Sequence, residues 1–198
     1  ETEPTPTELQ ETIEQALTLV ARSPEPIAIL GAGRTDAGVH ARGMVAHVDL
    51  SMSPDEARQL IYRTDRYLPH DIALYDIRPV REEAHARFSA TSRTYRYYVT
   101  LRKDPFQEAR MLRLYFPLDF DRMNEAAGRL KDFTDFTSFS KLHTDVKTNN
   151  CRVTEAYWQA GAEDGQWIFT ITADRFLRNM VRAVVGTLFQ VGKGRLSV

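Results

Sequence analysis

The stretch that most constrains this chain is residues 31–43, Gly-Ala-Gly-Arg-Thr-Asp-Ala-Gly-Val-His-Ala-Arg-Gly. An apolar run, Ile27 to Leu30, precedes it and an alternating run, Met44 to Leu50, follows it. Both read as strands, so the stretch is a long connection between two of them. A plain hairpin needs only a two-residue turn. A Gly-rich, charged loop held between rigid strands reads instead as a functional loop. Gly31, Gly33, Gly38 and Gly43 space out Arg34, Asp36, His40 and Arg42, and Asp36 between two arginines is the reactive candidate. The spacing is no dinucleotide fingerprint, because Asp36 holds the third glycine position, and no Gly-Lys-Ser/Thr follows to make a phosphate loop. An aspartate in such a loop more often only caps a turn, so the rest of the chain has to decide.

Around that loop the periodicity predicts an α-β-β-α-β half. Thr7-x-x-Gln10 reads as a capping box opening a helix over 8–21, with Leu9, Ile13, Ala16, Leu17 and Val20 inward. Ser53-Pro54-Asp55-Glu56 opens a second helix that runs to about Tyr67, and a strand is expected near 72–79. The following half reads β-α-β-β-α. It has a strand over 94–101, a polar connection over 102–113, a helix over 120–131, strands over 151–159 and 166–173, and an apolar helix over 175–191. Asp174 is expected to cap that last helix, and Gly192 and Gly194 to stop it. Each half matches a split β-α-β-β-α-β unit short of one terminal strand. The expected fold class is therefore α+β, two-layered: two ferredoxin-like βαββαβ halves, 1–80 and 81–198, sharing a mixed, mainly antiparallel sheet. Extra residues are expected at one or both ends to complete the units.

Lys and Arg number 26 against 27 Asp and Glu, a net charge of −1. That balance gives nucleic-acid binding no overall support and leaves it to local basic patches. One cysteine, Cys151, excludes an internal disulfide framework and suits the cytosol. No apolar run has membrane-spanning length, so no membrane is expected as partner. His40, His47, His70, His85 and His143 are scattered without ligand spacing, so no metal site is expected, and no Ser-His-Asp order stands out.

Two further stretches carry chemistry. Residues 87–98, Arg-Phe-Ser-Ala-Thr-Ser-Arg-Thr-Tyr-Arg-Tyr-Tyr, interleave cations with aromatics, as a surface that holds phosphates and stacks a base would. An ordinary tyrosine-rich strand would look the same. In the last helix Arg175, Arg178 and Arg182 fall at i, i+3 and i+7, and from Arg175 to Val198 there are five basic side chains and no acidic one. An arginine buried on so apolar a helix needs a partner, for which Asp36 is a candidate. A solvated stripe at the rim is the alternative.

Four runs, in order, resemble the TruA family of bacterial tRNA pseudouridine synthases. They are Gly33-Arg34-Thr35-Asp36-Ala37-Gly38-Val39-His40-Ala41; His85-Ala86-Arg87-Phe88 to Tyr95-Arg96-Tyr97; Asp135-Phe136-Thr137-Ser138-Phe139; and Phe176-Leu177 to Met180-Val181-Arg182. The resemblance implies the pseudouridine synthase fold and an isomerase that turns uridine into pseudouridine in the anticodon arm of tRNA, on its 3′ side. It implies Asp36 as nucleophile, Arg182 as its ion-pair partner, Tyr95 as the ring that stacks on the target base, and Arg34 as support for the flipped-out site. Arg42, Arg87, Arg175 and Arg178 are the expected substrate-binding cations. It further implies a cytoplasmic homodimer with tRNA across both subunits, and no cofactor. The family's opening strand, its Gly-Trp-Gln-rich turn and its closing strand have no counterpart here.

Two other classes fit part of the pattern. A non-catalytic RNA-binding module explains the arginines and tyrosines but not an acid inside a basic Gly-rich loop. A glycosidase-type hydrolase usually needs two flanking carboxylates, and only Asp36 is singled out.

Overall fold

The computed structural model describes residues 6–36, 38–107, 110–140 and 148–198, with side chains from residue 8 onward. The chain forms two compact units, 1–90 and 91–198.

In the first unit, α1 (Pro6–Ala21) and α2 (Pro54–Asp65) pack together, burying Ala16 and Leu17 of the one and Ala57 and Leu60 of the other. The expected box at Ser53 is present: its hydroxyl accepts from the Glu56 N–H, and the Glu56 carboxylate accepts from the Ser53 N–H at 2.8 Å. The box expected at Thr7 is not the start of α1. Thr7 already lies inside the helix, and Gln10 donates instead to Glu14 Oε1 and to the carbonyl of Ile29.

Strands β1 (Leu30–Gly31) and β2 (Ala46–His47) pair antiparallel over two residues each, much less than the runs 27–30 and 44–50 suggested. The reason is a competition for donors. The N–H groups of Ile27 and Ile29 bond to Thr18 Oγ1 and Glu14 Oε1 of α1, both at 2.9 Å, so they are spent on a helix rather than on a ladder. The strand expected near 72–79 is likewise absent among the described residues. There the Leu74 N–H bonds to Asp65 Oδ1 and the Ile77 N–H to Asp76 Oδ1.

The second unit follows its periodicity more closely. It holds β3 (Arg93–Thr100), β4 (Leu112–Arg113), α3 (Phe120–Arg129), β5 (Val153–Ala160), β6 (Gln166–Ala173) and α4 (Met180–Gly192). The sheet order is β4-β3-β6-β5, antiparallel except for the parallel β3–β4 pair. The short β4 falls inside what reads as a polar connection. Helices α3 and α4 pack against one sheet face around Val99, Met123, Trp158, Phe169, Ile171 and Val184, all buried. Each such side chain contributes roughly 1.5–3 kcal/mol on leaving water. Gly192 lets α4 meet α3 closely, since a Cβ there would strike Met123. Among the described residues the hydrogen-bonded ladders are a two-stranded antiparallel pair in the first unit and a four-stranded mixed sheet in the second. The mixed, mainly antiparallel α+β character stands.

The start of the last helix differs from the expectation. Residues 175–179 are not helical. Asn179, with φ at 66°, is the residue before α4, and no side chain caps it. Asp174 does other work: its Oδ1 accepts from the N–H groups of Arg152 and Arg175 at 2.8 and 2.7 Å. Arg175 and Arg178 therefore precede the helix and only Arg182 is on it, so the three do not form one helical stripe. At the far end Gly194 N–H to Val191 O and Arg195 N–H to Gln190 O close α4, as expected from its glycines.

Candidate active site

Arg34, Asp36, Arg42 and Arg87 belong to the first unit, and Tyr95, Arg175, Arg178 and Arg182 to the second. In the first, β1 and β2 form the base of the Gly-rich loop, extended by a 2.9 Å bond from Ala32 N–H to Val45 O. At the loop's tip the Asp36 carbonyl accepts from the Val39 N–H at 3.2 Å, closing a four-residue turn. Gly38, third in that turn, has φ at 75°. Side chains other than glycine resist that conformation. Asp36, Arg34 and Arg42 are all exposed.

The run 85–89 is a second built turn. The Ser89 N–H bonds to His85 O, and the His85 N–H to Ser89 Oγ. His85 Nδ1 accepts from the N–H groups of Arg87 and Phe88, at 3.1 and 3.2 Å. His47 Nδ1 accepts from the Ala86 N–H at 3.0 Å, and the two imidazoles meet edge to face at 4.7 Å. Both histidines therefore carry their ring proton on Nε2 when neutral. They are structural pins for the turn that carries Arg87, whose guanidinium lies 5.7 Å from the Phe88 ring centre. His85 opens the run 85–88 that resembles the family, whereas nothing in the sequence around His47 marks it beyond the absence of metal spacing. His143 lies outside the described residues.

In the second unit β3 carries Tyr95 half-buried, opposite Ile171 of β6. Its ring meets Phe176 edge to face, with centres 4.9 Å apart and planes at 86°. Arg178 and Arg182 are exposed and Arg175 is half-buried. The run 135–139 is ordered by Asp135, whose Oδ1 accepts from the Thr137 N–H and hydroxyl at 2.9 and 2.6 Å. Those bonds hold its carboxyl below the usual aspartate value. Burial pushes the Cys151 thiol up. Among the described residues no three His, Cys, Asp or Glu side chains gather as a metal site, and no helix is long and apolar enough to cross a membrane.

Comparison with known proteins decides the family. A family model described as tRNA pseudouridine synthase matches residues 129–198. The tRNA pseudouridine synthase A of Porphyromonas gingivalis is 59% identical over 199 residues, covering 100% of this chain and 78% of that protein. The chain belongs to the tRNA pseudouridine synthase family. The synthase A of Parabacteroides distasonis is 57% identical over 96% of this chain and 74% of its own length. That of Streptococcus thermophilus is still 37% identical over 99% and 79%. As a pseudouridine synthase this chain is an isomerase, and the exposed carboxylate in its Gly-rich loop is the first place to look for the chemistry.

Proposed function

We propose that this isomerase converts uridine to pseudouridine on the 3′ side of the anticodon arm of tRNA, with Asp36 as its nucleophile. The observation that carries the reading is Asp36 itself. It is the one carboxylate in residues 31–43, it is exposed, and it heads a turn at the tip of the Gly-rich loop. A carboxylate can attack carbon and later leave, so it suits covalent catalysis.

In the reaction the N1–C1′ bond of the uridine breaks, the freed uracil turns, and a C5–C1′ bond forms while the C5 proton passes to solvent and N1 regains one. No atom is gained or lost, and no cofactor is required. The target base has to leave its stack first. Arg34 supports the flipped-out site, Tyr95 holds the uracil by its face, and Arg182 is the ion-pair partner of Asp36. Arg42, Arg87, Arg175 and Arg178 take phosphates. We read units 1–80 and 81–198 as ferredoxin-like halves of a cytoplasmic homodimer that spreads tRNA across both subunits, a compartment its free cysteine suits.

The test is incubation with unmodified tRNA, followed by nucleoside analysis and intact mass. Conversion without change of mass supports the proposal. Release of free uracil would mean hydrolysis, and binding without either would mean a non-catalytic module.

A further inference from the structure

We infer that Phe176 is a positioning residue for this reaction, setting the orientation of the Tyr95 ring and through it the plane of the stacked uracil. The inference rests on the reading of Tyr95 as the stacking ring. Tyr95 lies near the start of β3, where its ring is half-buried, whereas Val99 four residues on is fully enclosed. The ladder with β6 fixes the Tyr95 backbone opposite Ile171 but leaves the torsions of its ring to its neighbours. Phe176 meets that ring at 86° and 4.9 Å, the perpendicular arrangement that aromatic quadrupoles favour.

Phe176 is itself held from both sides. Two residues before it, Asp174 accepts main-chain N–H bonds from Arg152 and Arg175. The Asp174 carbonyl also accepts from Arg93 Nη1 at 3.5 Å, and Arg93 stands two residues before Tyr95 on the same strand. One residue after Phe176, Leu177 is buried, and its carbonyl accepts from the Met180 N–H at 3.1 Å. The left-handed backbone at Asn179 keeps 174–179 out of the helix, so Phe176 is placed by this anchored segment and not by a turn of α4.

A stacking ring free to reorient must be immobilised each time a base binds, and a misaligned one presents the uracil in the wrong plane for its C5 to reach C1′. The perpendicular contact with Phe176 limits that freedom in advance. The effect belongs to the chemical step, because tRNA affinity comes from phosphate contacts elsewhere.

Phe176→Leu keeps an apolar side chain and loses the ring. Single-turnover conversion at saturating tRNA should slow about two- to tenfold, the usual worth of one such aromatic pair. The dissociation constant for tRNA should stay unchanged, and Phe176→Tyr should restore the rate. The decisive measurement is the double-mutant cycle. The loss should persist in a Tyr95→Phe background and vanish in a Tyr95→Leu background. An equal loss in both backgrounds, or a loss of affinity instead of rate, overturns the inference. Thermal melting checks that each variant folds, and Phe176→Met gives the same reading if Leu lowers the melting temperature. If Tyr95→Leu converts at the parent rate, the reading of Tyr95 has failed. If it is slow while Phe176→Leu matches the parent, only the role of Phe176 has failed.

Discussion

Asp36 accepts the Val39 N–H through its main-chain carbonyl, so the turn that presents it should outlive a change of side chain. Asp36→Asn keeps size and planarity and removes the charge. Conversion of uridine should fall below detection, while the melting temperature and tRNA affinity stay near those of the parent. A folded, tRNA-binding variant that still converts at the parent rate would remove Asp36 as nucleophile. Tyr95 calls for a different contrast. Tyr95→Phe keeps the ring and its perpendicular contact with Phe176, and should retain most of the activity. Tyr95→Leu loses a stacking surface of about 1–3 kcal/mol, roughly a five- to 150-fold slower conversion. If Phe proves as damaging as Leu, the hydroxyl rather than the face is the working part.

At the level of elements, the capping box of α2 gives a pH test. Hydrogen bonds from the Ser53 main chain and hydroxyl hold the Glu56 carboxyl below its ordinary value. Folding therefore favours the carboxylate. Its contribution is complete above the ordinary glutamate value and is lost as the pH falls through the lower, folded value. The gap in melting temperature between the parent and Glu56→Gln should be constant near neutrality and close on acidification below the carboxylate range; a gap that widens there contradicts the box. This box was legible in the sequence because a cap is a local device, as were α3, β3, β5 and β6, whose side chains alternate or recur against one core. Contacts distant in sequence were not legible. Nothing in Ile27–Leu30 says that its donors will go to Glu14 and Thr18 on a helix. Nothing in Phe176–Asn179 marks the left-handed residue that delays α4 and parts Arg175 and Arg178 from Arg182. The motif around Asp36 was readable as a string, but the main-chain bond from Val39 N–H to Asp36 O, and the two histidines pinning 85–89, needed coordinates.

For the whole molecule the governing quantity is charge. With 26 cations against 27 anions the protein offers a polyanion no net attraction, and any affinity for tRNA has to be local. Local binding to phosphates has a signature. Each phosphate neutralised releases counterions and steepens the fall of log affinity with log salt by about 0.7–0.9. Arg34, Arg42, Arg87 and Arg178 are exposed, so each Ala substitution should lower that slope by about one such step. Arg175 is half-buried beside Cys151, and its removal should change the slope less. Arg58 serves as control. It is exposed on α2 and already paired with Asp55, so Arg58→Ala should leave the slope unaltered. The outcome separates two pictures that a single affinity cannot. If only the motif arginines move the slope, tRNA is gripped by the surfaces that carry Asp36 and the start of α4. If Arg58 moves it as much as Arg34 does, or if affinity is flat with salt, the assignment of these arginines to phosphates is wrong.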